Sequence, residues 1–322
     1  MPDSVDFSRK LVLVLGASGY IGSRVVAALS GSPIYRPVEA SRRSDPAVDA
    51  TKPDSLRNAL RGADYVVNCI AGNNQTMLRT TEVLCEAARA SPPRRIVHLS
   101  SMAVYGAATG TVREESAPVS PVSGYGQAKI DCERMVLGYV HDGGDAVVLR
   151  PSCVFGPASP QWTTRLARLL RAGRIGDLGS AGDGWCNLAC VDDVVGGVIA
   201  ALDAPDIAGG VFNVSSSAEL TWNEFLTAFA KALGATPVRR IAPRSLRIET
   251  KLLAPMRRIA GMVLRSPMTE AITPSLAALW SQDIRIDCSR AQALLRLPRT
   301  PVDRMIAAAV RHERGLPQAA LS

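Results

Sequence analysis

A tyrosine and a lysine four residues apart are the pair of side chains in this sequence best suited to proton transfer. Tyr125 and Lys129 lie in the segment YGQAK, at the start of a run with helical periodicity, so both project from one helix face. A tyrosine hydroxyl, with a usual pKa of about 10, is a poor acid or base at neutral pH. A lysine ammonium one turn away favours the tyrosinate form. The spacing therefore indicates a tyrosine that exchanges a proton with a substrate oxygen.

Three glycines follow an apolar strand near the amino terminus, in LVLVLGASGYIGSRVVAAL. Gly16 lets the chain turn tightly, Gly19 lets the backbone approach a pyrophosphate, and Gly22 permits close helix packing. The amides at the start of the helix face the negative charge of such a group. The turn therefore predicts a dinucleotide-binding site.

Apolar runs alternate with helical patterns over the first half of the chain, which predicts an α/β fold with a Rossmann-type doubly wound parallel sheet. We expect this domain to cover residues 8–176, with a later strand near 210–216 returning to it. A smaller, mostly helical C-terminal substrate lobe is predicted over 177–316, followed by a frayed tail over 317–322. Predicted strands are Leu11–Leu15, Pro37–Ala40, Tyr65–Ile70, Arg95–Leu99, Ala146–Leu149 and Val211–Ser216, and predicted helices are Gly19–Leu29, Pro53–Leu60, Gln75–Ala90, Tyr125–Tyr139, Gln161–Arg171 and Trp222–Leu233.

Composition narrows the classes of partner. The 322 residues carry a net charge of +8, but the basic residues are dispersed and aromatic residues are scarce, so we expect no nucleic acid. Seven cysteines at irregular spacing indicate reduced thiols and a cytoplasmic protein. With only three histidines, none near the closest cysteine pair, we expect no metal site. No apolar run is long enough for a transmembrane segment.

Eight segments together resemble the extended branch of the short-chain dehydrogenase/reductase superfamily, the NAD-dependent epimerase/dehydratase family. They follow the family's order along most of the chain: GASGYIG, DATKPDSL, GADYVVNCIAG, HLSSMAVYG, YGQAK, LRPSCVFGP, WCNLACVDDVV and GGVFNVSS. The resemblance implies hydride transfer to or from a nicotinamide, with proton transfer by Tyr125. Lys129 would also reach the nicotinamide ribose.

The resemblance also implies the other site residues. Strand alternation points only one of Ser100 and Ser101 into the cleft, and the family register assigns the catalytic hydroxyl to Ser101. Implied substrate contacts are Ser101, Met102, Cys153 and Trp185. Implied cofactor contacts are Gly16, Ser18, Gly19, Tyr20, Ile21, Gly22, Ser41, Arg42, Arg43, Asp49, Ala50, Cys69, Ile70, Ala71, Tyr125, Lys129, Pro151 and Val154.

The end of the second strand indicates which cofactor is bound. In NAD-dependent members a carboxylate at this turn accepts both ribose hydroxyls and repels a 2′-phosphate. Here Ser41, Arg42 and Arg43 follow the strand without an acidic residue, and a guanidinium can pair with a 2′-phosphate. We therefore predict that NADP(H) is preferred, with NAD(H) as the alternative.

Departures from the family narrow the reaction. Sugar-nucleotide dehydratases carry an Asp-Glu pair after the catalytic serine, whereas this chain has Met102 and Ala103, which cannot move a proton. Cys153 is the one further acid–base candidate, or simply a buried thiol. The leading prediction is an NADP(H)-dependent reductase or dehydrogenase acting on a ketone, an alcohol or a sugar nucleotide. A 4-epimerase with tightly held NAD is the alternative, followed by a non-catalytic dinucleotide-binding module.

Two expectations concern surfaces. Arg174 or the basic stretch 239–265 could bind a diphosphate, and the apolar residues of that stretch suit a packed helix, a pocket lid or a membrane-surface face. The family's usual pairing of helices predicts a homodimer through Gln75–Ala90 and Tyr125–Tyr139. The residues offered for that interface are Met77, Val83, Leu84, Ala88, Ile130, Met135, Val136 and Tyr139.

Overall fold

The computed structural model describes residues 9–116, 123–216, 220–250 and 272–315. Its strands are β1 (Lys10–Leu15), β2 (Tyr35–Ala40), β3 (Tyr65–Asn68), β4 (Arg95–Leu99), β5 (Gly110–Val112), β6 (Ala146–Pro151), β7 (Cys153–Phe155), β8 (Leu188–Cys190), β9 (Val211–Val214) and β10 (Ile284–Ile286). Its α-helices are α1 (Tyr20–Ser30), α2 (Pro53–Leu60), α3 (Asn74–Ala90), α4 (Gly124–His141), α5 (Arg165–Arg171), α6 (Val191–Asp203), α7 (Trp222–Leu233), α8 (Pro243–Ile248), α9 (Pro274–Trp280), α10 (Ser289–Leu295) and α11 (Val302–Glu313).

Six strands form one parallel sheet in the order β2-β1-β3-β4-β6-β9. The chain leaves β1 for β2 on one side and then returns to β3 on the other side, so β1 and β3 flank a topological switch point. Ligands of open parallel sheets bind at such a point, beyond the carboxyl ends of the strands. The predicted Rossmann-type fold is confirmed, including the late return of β9 to the sheet.

Helices cover both faces of the sheet because its strands are apolar on both sides. On one face α1 and α6 pack over the sheet through buried residues such as Val25 and Val198. On the other face α2, α3 and α4 do so, with Leu56, Leu84 and Val136 in the core. The helices packed on the two faces hold the glycine-rich turn, the end of β4 and the start of α4 in fixed positions relative to one another.

A third core lies in the C-terminal part and extends into the sheet domain. Phe155, Phe225 and Phe229 meet edge to face or stacked, with ring centres 5.3–5.8 Å apart. Met102 and Tyr105, just after the catalytic-serine candidate, belong to the same cluster. Two small parallel pairs, β7 with β8 and β5 with β10, also join the two parts. The C-terminal part therefore packs directly against the segment that follows β4.

Several predicted boundaries change. The second strand begins at Tyr35, because Tyr35 already pairs with Lys10, and the last predicted strand ends at Val214. A π-helical turn, Pro160–Thr164, precedes α5 where one continuous helix was predicted. Of the basic stretch only residues 239–250 are described, including α8. The apolar positions predicted to form a packed helix, a lid or a membrane-surface face lie outside the described residues, as does the predicted tail, 317–322. Those positions are Leu252, Leu253, Met256, Ile259, Met262 and Val263.

The residues offered for a dimer interface pack inside the chain. Of the eight, seven are buried and Met135 is partly buried. Seven of them lie in the clusters formed by α3, α4 and the sheet, and Ile130 packs in the core of the C-terminal part, so they cannot be the residues that face a partner. The exposed side of α3 instead carries charged residues such as Arg79 and Glu82, which pair at 2.7 Å. Within the described ranges, no helix is long and apolar enough to cross a membrane.

Candidate active site

The glycine-rich turn between β1 and α1 leaves no room for side chains at two of its glycines. Gly16 has a φ of +76°, which favours glycine, and a Cβ there would lie 3.1 Å from the backbone of Cys69 and Ile70. A Cβ on Gly22 would lie 2.2 Å from the Gly16 carbonyl oxygen. Gly19 begins α1 without a side-chain cap, which leaves the first helix amides for a ligand's negative charge. This cradle fits a dinucleotide diphosphate.

The tyrosine of the same turn is engaged within the protein. The Tyr20 hydroxyl donates to the Pro157 carbonyl oxygen at 3.2 Å. The Arg24 guanidinium lies 4.0 Å from the Tyr20 ring centre and donates to the same oxygen at 2.6 Å. Burial raises the pKa of Tyr20 to about 12. Tyr20 therefore fastens the loop after β7 to the turn, while Ser18 is exposed and Ile21 packs on the core.

The turn after β2 presents two exposed guanidinium groups and one carboxylate. Ser41 closes the turn, since its Oγ accepts a hydrogen bond from the Arg43 amide at 3.1 Å. The Arg42 and Arg43 side chains are exposed. Asp49 Oδ1 accepts from the hydroxyl and the amide of Thr51 at 2.7 and 3.1 Å, and these bonds lower the pKa of Asp49. The acid nearest the end of β2 is Glu39 within the strand, and residues 41–43 of the turn include no acid, as the sequence indicated.

The remaining predicted cofactor contacts lie along the carboxyl edge of the sheet. The Cys69 amide donates to the Leu15 carbonyl oxygen at 3.0 Å, which holds the end of β3 beside the glycine-rich turn. The Ile70 amide donates to Asn68 Oδ1 at 3.1 Å. Their exposure differs: Ala50 and Pro151 are buried, Cys69, Ile70 and Val154 are partly buried, and Ala71 is exposed.

Ser101, Tyr125 and Lys129 meet at the same edge. Ser101 follows β4, where its Oγ accepts from the Ala103 amide at 3.2 Å and starts a 3₁₀ turn over Met102–Tyr105. Tyr125 lies in the first turn of α4, and its hydroxyl is near enough to Ser101 for the Ser101 hydroxyl to lower the Tyr125 pKa. Lys129 Nζ donates to the Leu99 carbonyl oxygen at 2.7 Å and lies 5.9 Å from the Tyr125 ring centre. The structure thus brings the three predicted catalytic side chains together.

Burial is the largest influence on both ionisable groups. Although 38% of Tyr125 is exposed, desolvation raises the pKa of its hydroxyl, and the nearby Ser101 hydroxyl acts in the opposite direction. Burial lowers the pKa of Lys129, which is only 3% exposed. Burial therefore moves the pKa of Lys129 towards neutral pH. It moves the pKa of Tyr125 away from neutral pH, so the tyrosine hydroxyl keeps its proton.

Sequence reasoning missed a buried polar layer beneath Lys129. His98 is 2% exposed, and its Nδ1 lies 3.2 Å from the Asn68 amide nitrogen. Asn68 Oδ1 accepts from Ile70, so the Asn68 nitrogen is the donor and His98 Nδ1 the acceptor. Burial, with the Lys129 charge in support, lowers the pKa of His98 to about 3. His98 is therefore a neutral packing partner of the site.

On the substrate side the departures from the family are visible in the packing. Met102 is buried in the core of the C-terminal lobe, and neither it nor Ala103 offers a proton. Cys153 is 5% exposed, lies close enough to influence Tyr125 electrostatically, and has a pKa raised by burial. Such a thiol stays protonated and suits a packing role better than acid–base chemistry.

Trp185 and Arg174 are held by other residues of the C-terminal lobe. Trp185 Nε1 donates to Asp283 at 2.9 Å, and the Arg285 guanidinium lies 3.7 Å from its ring centre. Arg174 forms an ion pair with Glu249. The indole therefore contacts neighbours from the segment around β10, and the Arg174 charge is already matched by a carboxylate.

A second feature missed by sequence reasoning is a buried ion pair behind α4. Glu133 follows Lys129 by four residues, which places it on the same helix face as Tyr125 and Lys129. Both of its oxygens accept from Arg150 of β6, at 2.9 and 2.7 Å. The continuation of the four-residue spacing was the signal available in the sequence. As for metals, the described part of the chain contains no group of three or more potential ligands.

Comparisons with known proteins agree with this architecture. The family model of the NAD dependent epimerase/dehydratase family matches residues 12–215. A relative, "dTDP-4-keto-6-deoxy-D-glucose reductase" of Streptomyces niveus, is 29% identical over 270 residues, covering 80% of this chain and 86% of that protein.

Two solved structures share the fold. UDP-glucuronic acid 4-epimerase from Bacillus cereus, in complex with NAD, has a TM-score of 0.71 at 21% identity and covers 95% of this chain and 99% of its own. RMD from Pseudomonas aeruginosa, complexed with NADPH, has a TM-score of 0.69 at 20% identity and covers 95% and 98%.

The glycine cradle at the switch point and the serine, tyrosine and lysine at the same edge define an NAD(P)-dependent oxidoreductase of the short-chain dehydrogenase/reductase class. Within that class the chain belongs to the NAD-dependent epimerase/dehydratase family, whose model covers more than half of it. The family predicted from the sequence is thereby confirmed.

Proposed function

We propose that the protein is an NADP(H)-dependent reductase or dehydrogenase that interconverts a carbonyl and an alcohol, with Tyr125 as the proton donor and acceptor. The meeting of Ser101, Tyr125 and Lys129 at one edge of the sheet, with the buried Lys129 ammonium fixed on the Leu99 carbonyl oxygen, is the observation that carries the proposal. Met102 and Ala103 occupy the positions where a dehydratase needs carboxyl groups, so a simple redox reaction is the chemistry that the side chains support.

Each residue has a separate task in this reaction. When bound, the nicotinamide cofactor supplies or accepts the hydride. In the reducing direction Tyr125 gives its proton to the substrate oxygen, and in the oxidising direction it takes the proton back. Ser101 donates a hydrogen bond to the same oxygen as charge develops there. The Lys129 ammonium, fixed by the Leu99 carbonyl, stabilises the tyrosinate that Tyr125 becomes.

Cofactor preference is part of the proposal. Arg42 and Arg43 extend from the turn after β2 into solvent, where the first can pair with a 2′-phosphate through charge-assisted bonds. Asp49 stands behind the turn with one oxygen already committed to Thr51. This charge distribution favours NADP(H). The glycine-rich turn and the amino-terminal end of α1 would hold the diphosphate of either dinucleotide.

A substrate screen tests the proposal. Purified protein is incubated with NADPH or NADH and a panel of nucleotide-linked 4-keto sugars, simple ketones and UDP-sugars, and oxidation of the cofactor is followed at 340 nm. We expect NADPH oxidation with a keto compound. Tightly retained NAD that does not exchange, together with epimerisation of a UDP-sugar, would instead establish the 4-epimerase alternative.

We also propose a cytoplasmic homodimer. The seven irregularly spaced cysteines favour a reducing compartment. Since the apolar faces of α3 and α4 are buried within the chain, a two-fold interface on these helices would use their outer polar sides. Sedimentation at micromolar concentration checks the assembly. A single species near the chain mass of 34.1 kDa would contradict the dimer.

A further inference from the structure

A buried polar network links the two segments that carry the catalytic side chains, the 3₁₀ turn after β4 and helix α4. Its centre is Arg150, at the carboxyl end of β6 and 5% exposed. Arg150 donates through Nε and Nη2 to the two oxygens of Glu133, at 2.9 and 2.7 Å. Through Nη1 it donates to the Tyr105 hydroxyl at 3.0 Å and to the Glu114 carbonyl oxygen at 3.1 Å. The four bonds therefore fix Arg150 to helix α4, to the 3₁₀ turn after β4 and to the segment after β5.

Two of the three partners of Arg150, Glu133 and Tyr105, lie on elements of the site. Glu133 lies two turns after Tyr125 and one turn after Lys129, on one face of α4. Tyr105 ends the 3₁₀ turn that Ser101 begins. A shift of either partner would therefore change the distance between the Ser101 hydroxyl and the Tyr125 hydroxyl.

The network continues to the C-terminal lobe. The Tyr105 hydroxyl donates to Asn213 Oδ1 at 2.6 Å, and Asn213 Nδ2 donates to the Asp287 carbonyl oxygen at 2.9 Å. The backbone amide of Asn213 donates to Glu114 Oε1 at 2.8 Å. Tyr105 and Asn213 are fully buried, so these bonds are made in a poorly solvated interior, where displaced polar groups are costly. The arrangement is geometrically specific because the guanidinium fork is planar and bidentate.

We infer that Arg150 is a positioning residue for the proposed reaction: its fork to Glu133 and its bond to Tyr105 set the alignment of Ser101 with the Tyr125–Lys129 face of α4. The inference rests on the proposed function for its kinetic consequence, but the alignment itself is a property of the chain. Arg150 touches none of the reacting atoms and acts through Tyr105 and Glu133.

The amino edge of the sheet offers a matched control for each test variant. Asp145, just before β6, receives a bidentate fork from Arg95 at 2.8 and 2.9 Å. Tyr35, at the start of β2, donates its hydroxyl to Asp203 at 2.6 Å. Both interactions lie at the amino edge of the sheet, opposite the site. Tyr105→Phe is therefore compared with Tyr35→Phe, and Glu133→Gln with Asp145→Asn.

Two readouts separate positioning from stability. The first is kcat against the Kd for NADPH. We expect Tyr105→Phe and Glu133→Gln to lower kcat by about ten- to a hundredfold, which is the size of effect that misalignment produces, and to leave the Kd unchanged. The two control variants should lower only the melting temperature.

The second readout needs no substrate. Tyrosine labelled with ¹³C at Cζ gives six resonances, and Tyr125→Phe identifies that of Tyr125. We expect its titration midpoint to rise in the two test variants, because the Ser101 hydroxyl, which lowers the Tyr125 pKa, moves away, and to stay unchanged in the controls.

The outcomes are distinct. If both test variants lose thermal stability like their controls while kcat and the Tyr125 titration match wild type, Arg150 is a structural residue and the inference is overturned. If the wild-type protein shows no turnover with any substrate, the proposed function fails, and the Tyr125 resonance still decides the alignment. If one test variant does not fold, the other decides with the same two readouts.

Discussion

The amino and carboxyl edges of the parallel sheet contain the same residue types in different roles. At the amino edge, Lys10, Tyr35 and Tyr65 begin three neighbouring strands and converge on Asp203, the last residue of α6. Lys10 donates to Asp203 at 2.8 Å and Tyr35 at 2.6 Å, and Tyr65 donates to its other oxygen. At the carboxyl edge, Tyr125 and Lys129 meet Ser101. One cluster is built around a carboxylate and the other is not.

The carboxylate decides what each lysine and tyrosine can do. At the amino edge the bond to Asp203 raises the pKa of Lys10, and although burial opposes ionisation, the bonds from Lys10, Tyr35 and Tyr65 lower the pKa of Asp203 to about 2. That cluster is satisfied and unreactive. At the carboxyl edge Lys129 bonds a neutral carbonyl and burial lowers its pKa. Among the described residues the Lys129 ammonium has no ion-pair partner, and the Tyr125 side chain above it is exposed, so this arrangement is available to a ligand.

Removing one hydroxyl at each edge gives the largest contrast. We expect Tyr125→Phe to lower kcat by about a thousandfold, within the range for loss of a general acid–base group, while the Kd for NADPH stays nearly unchanged. Tyr35→Phe removes the same hydroxyl from the amino edge and should affect thermal stability alone. Steady-state kinetics and cofactor fluorescence measure both. A Tyr125→Phe variant with a tenth of the wild-type rate would remove Tyr125 from the mechanism.

Removing the two ammonium groups sharpens the comparison. Lys129→Met should lower kcat by about a hundredfold, the usual size for loss of a preorganised charge, and should also weaken cofactor binding because the same ammonium serves both. Lys10→Met breaks the exposed ion pair with Asp203 and should change neither constant. Equal kinetic effects of the two substitutions would mean that the edges do not differ in function.

Much of this difference could be predicted from the sequence, because the motifs of the carboxyl edge are local. The glycine turn and YGQAK each lie within a few residues, and the structure brings them together as expected. The Asp203 cluster and the Arg150 network could not be predicted, since their members are separated by up to 193 residues (Lys10 and Asp203). Long-range polar contacts depend on strand order and helix packing, which no local pattern specifies. The dimer residues were wrong for the same reason: an apolar helix face looks alike whether it covers a sheet or a partner.

A smaller effect is expected from the cofactor preference of the carboxyl edge. Arg42→Ala should raise the Kd for NADPH about ten- to a hundredfold, as loss of a charge-assisted bond implies, and leave the Kd for NADH unchanged. Arg94→Ala removes the same charge at the amino edge, where Arg94 lies 3.3 Å from Asp64, and should alter neither Kd. Fluorescence titration with both cofactors measures this. Equal or tighter binding of NADH by the wild type would contradict the preference.

The smallest expected effect is a difference between the two edges in how pH changes the stability of the fold. His98 has a pKa lowered to about 3 from 6.5, so the unfolded chain binds more protons than the folded chain and stability falls on acidification below 6.5. The loss should be about 1 kcal/mol between pH 6.5 and 5.5. The Asp203 cluster should contribute nothing in this window, because a carboxyl with a pKa lowered to about 2 from 3.8 loses its stabilisation only as the pH falls below 3.8. Urea unfolding of wild type and His98→Gln at the two pH values measures the difference. Since glutamine does not titrate in this range, the variant should lose less stability on acidification, and identical losses in the two proteins would show that His98 is not the buried neutral group described here.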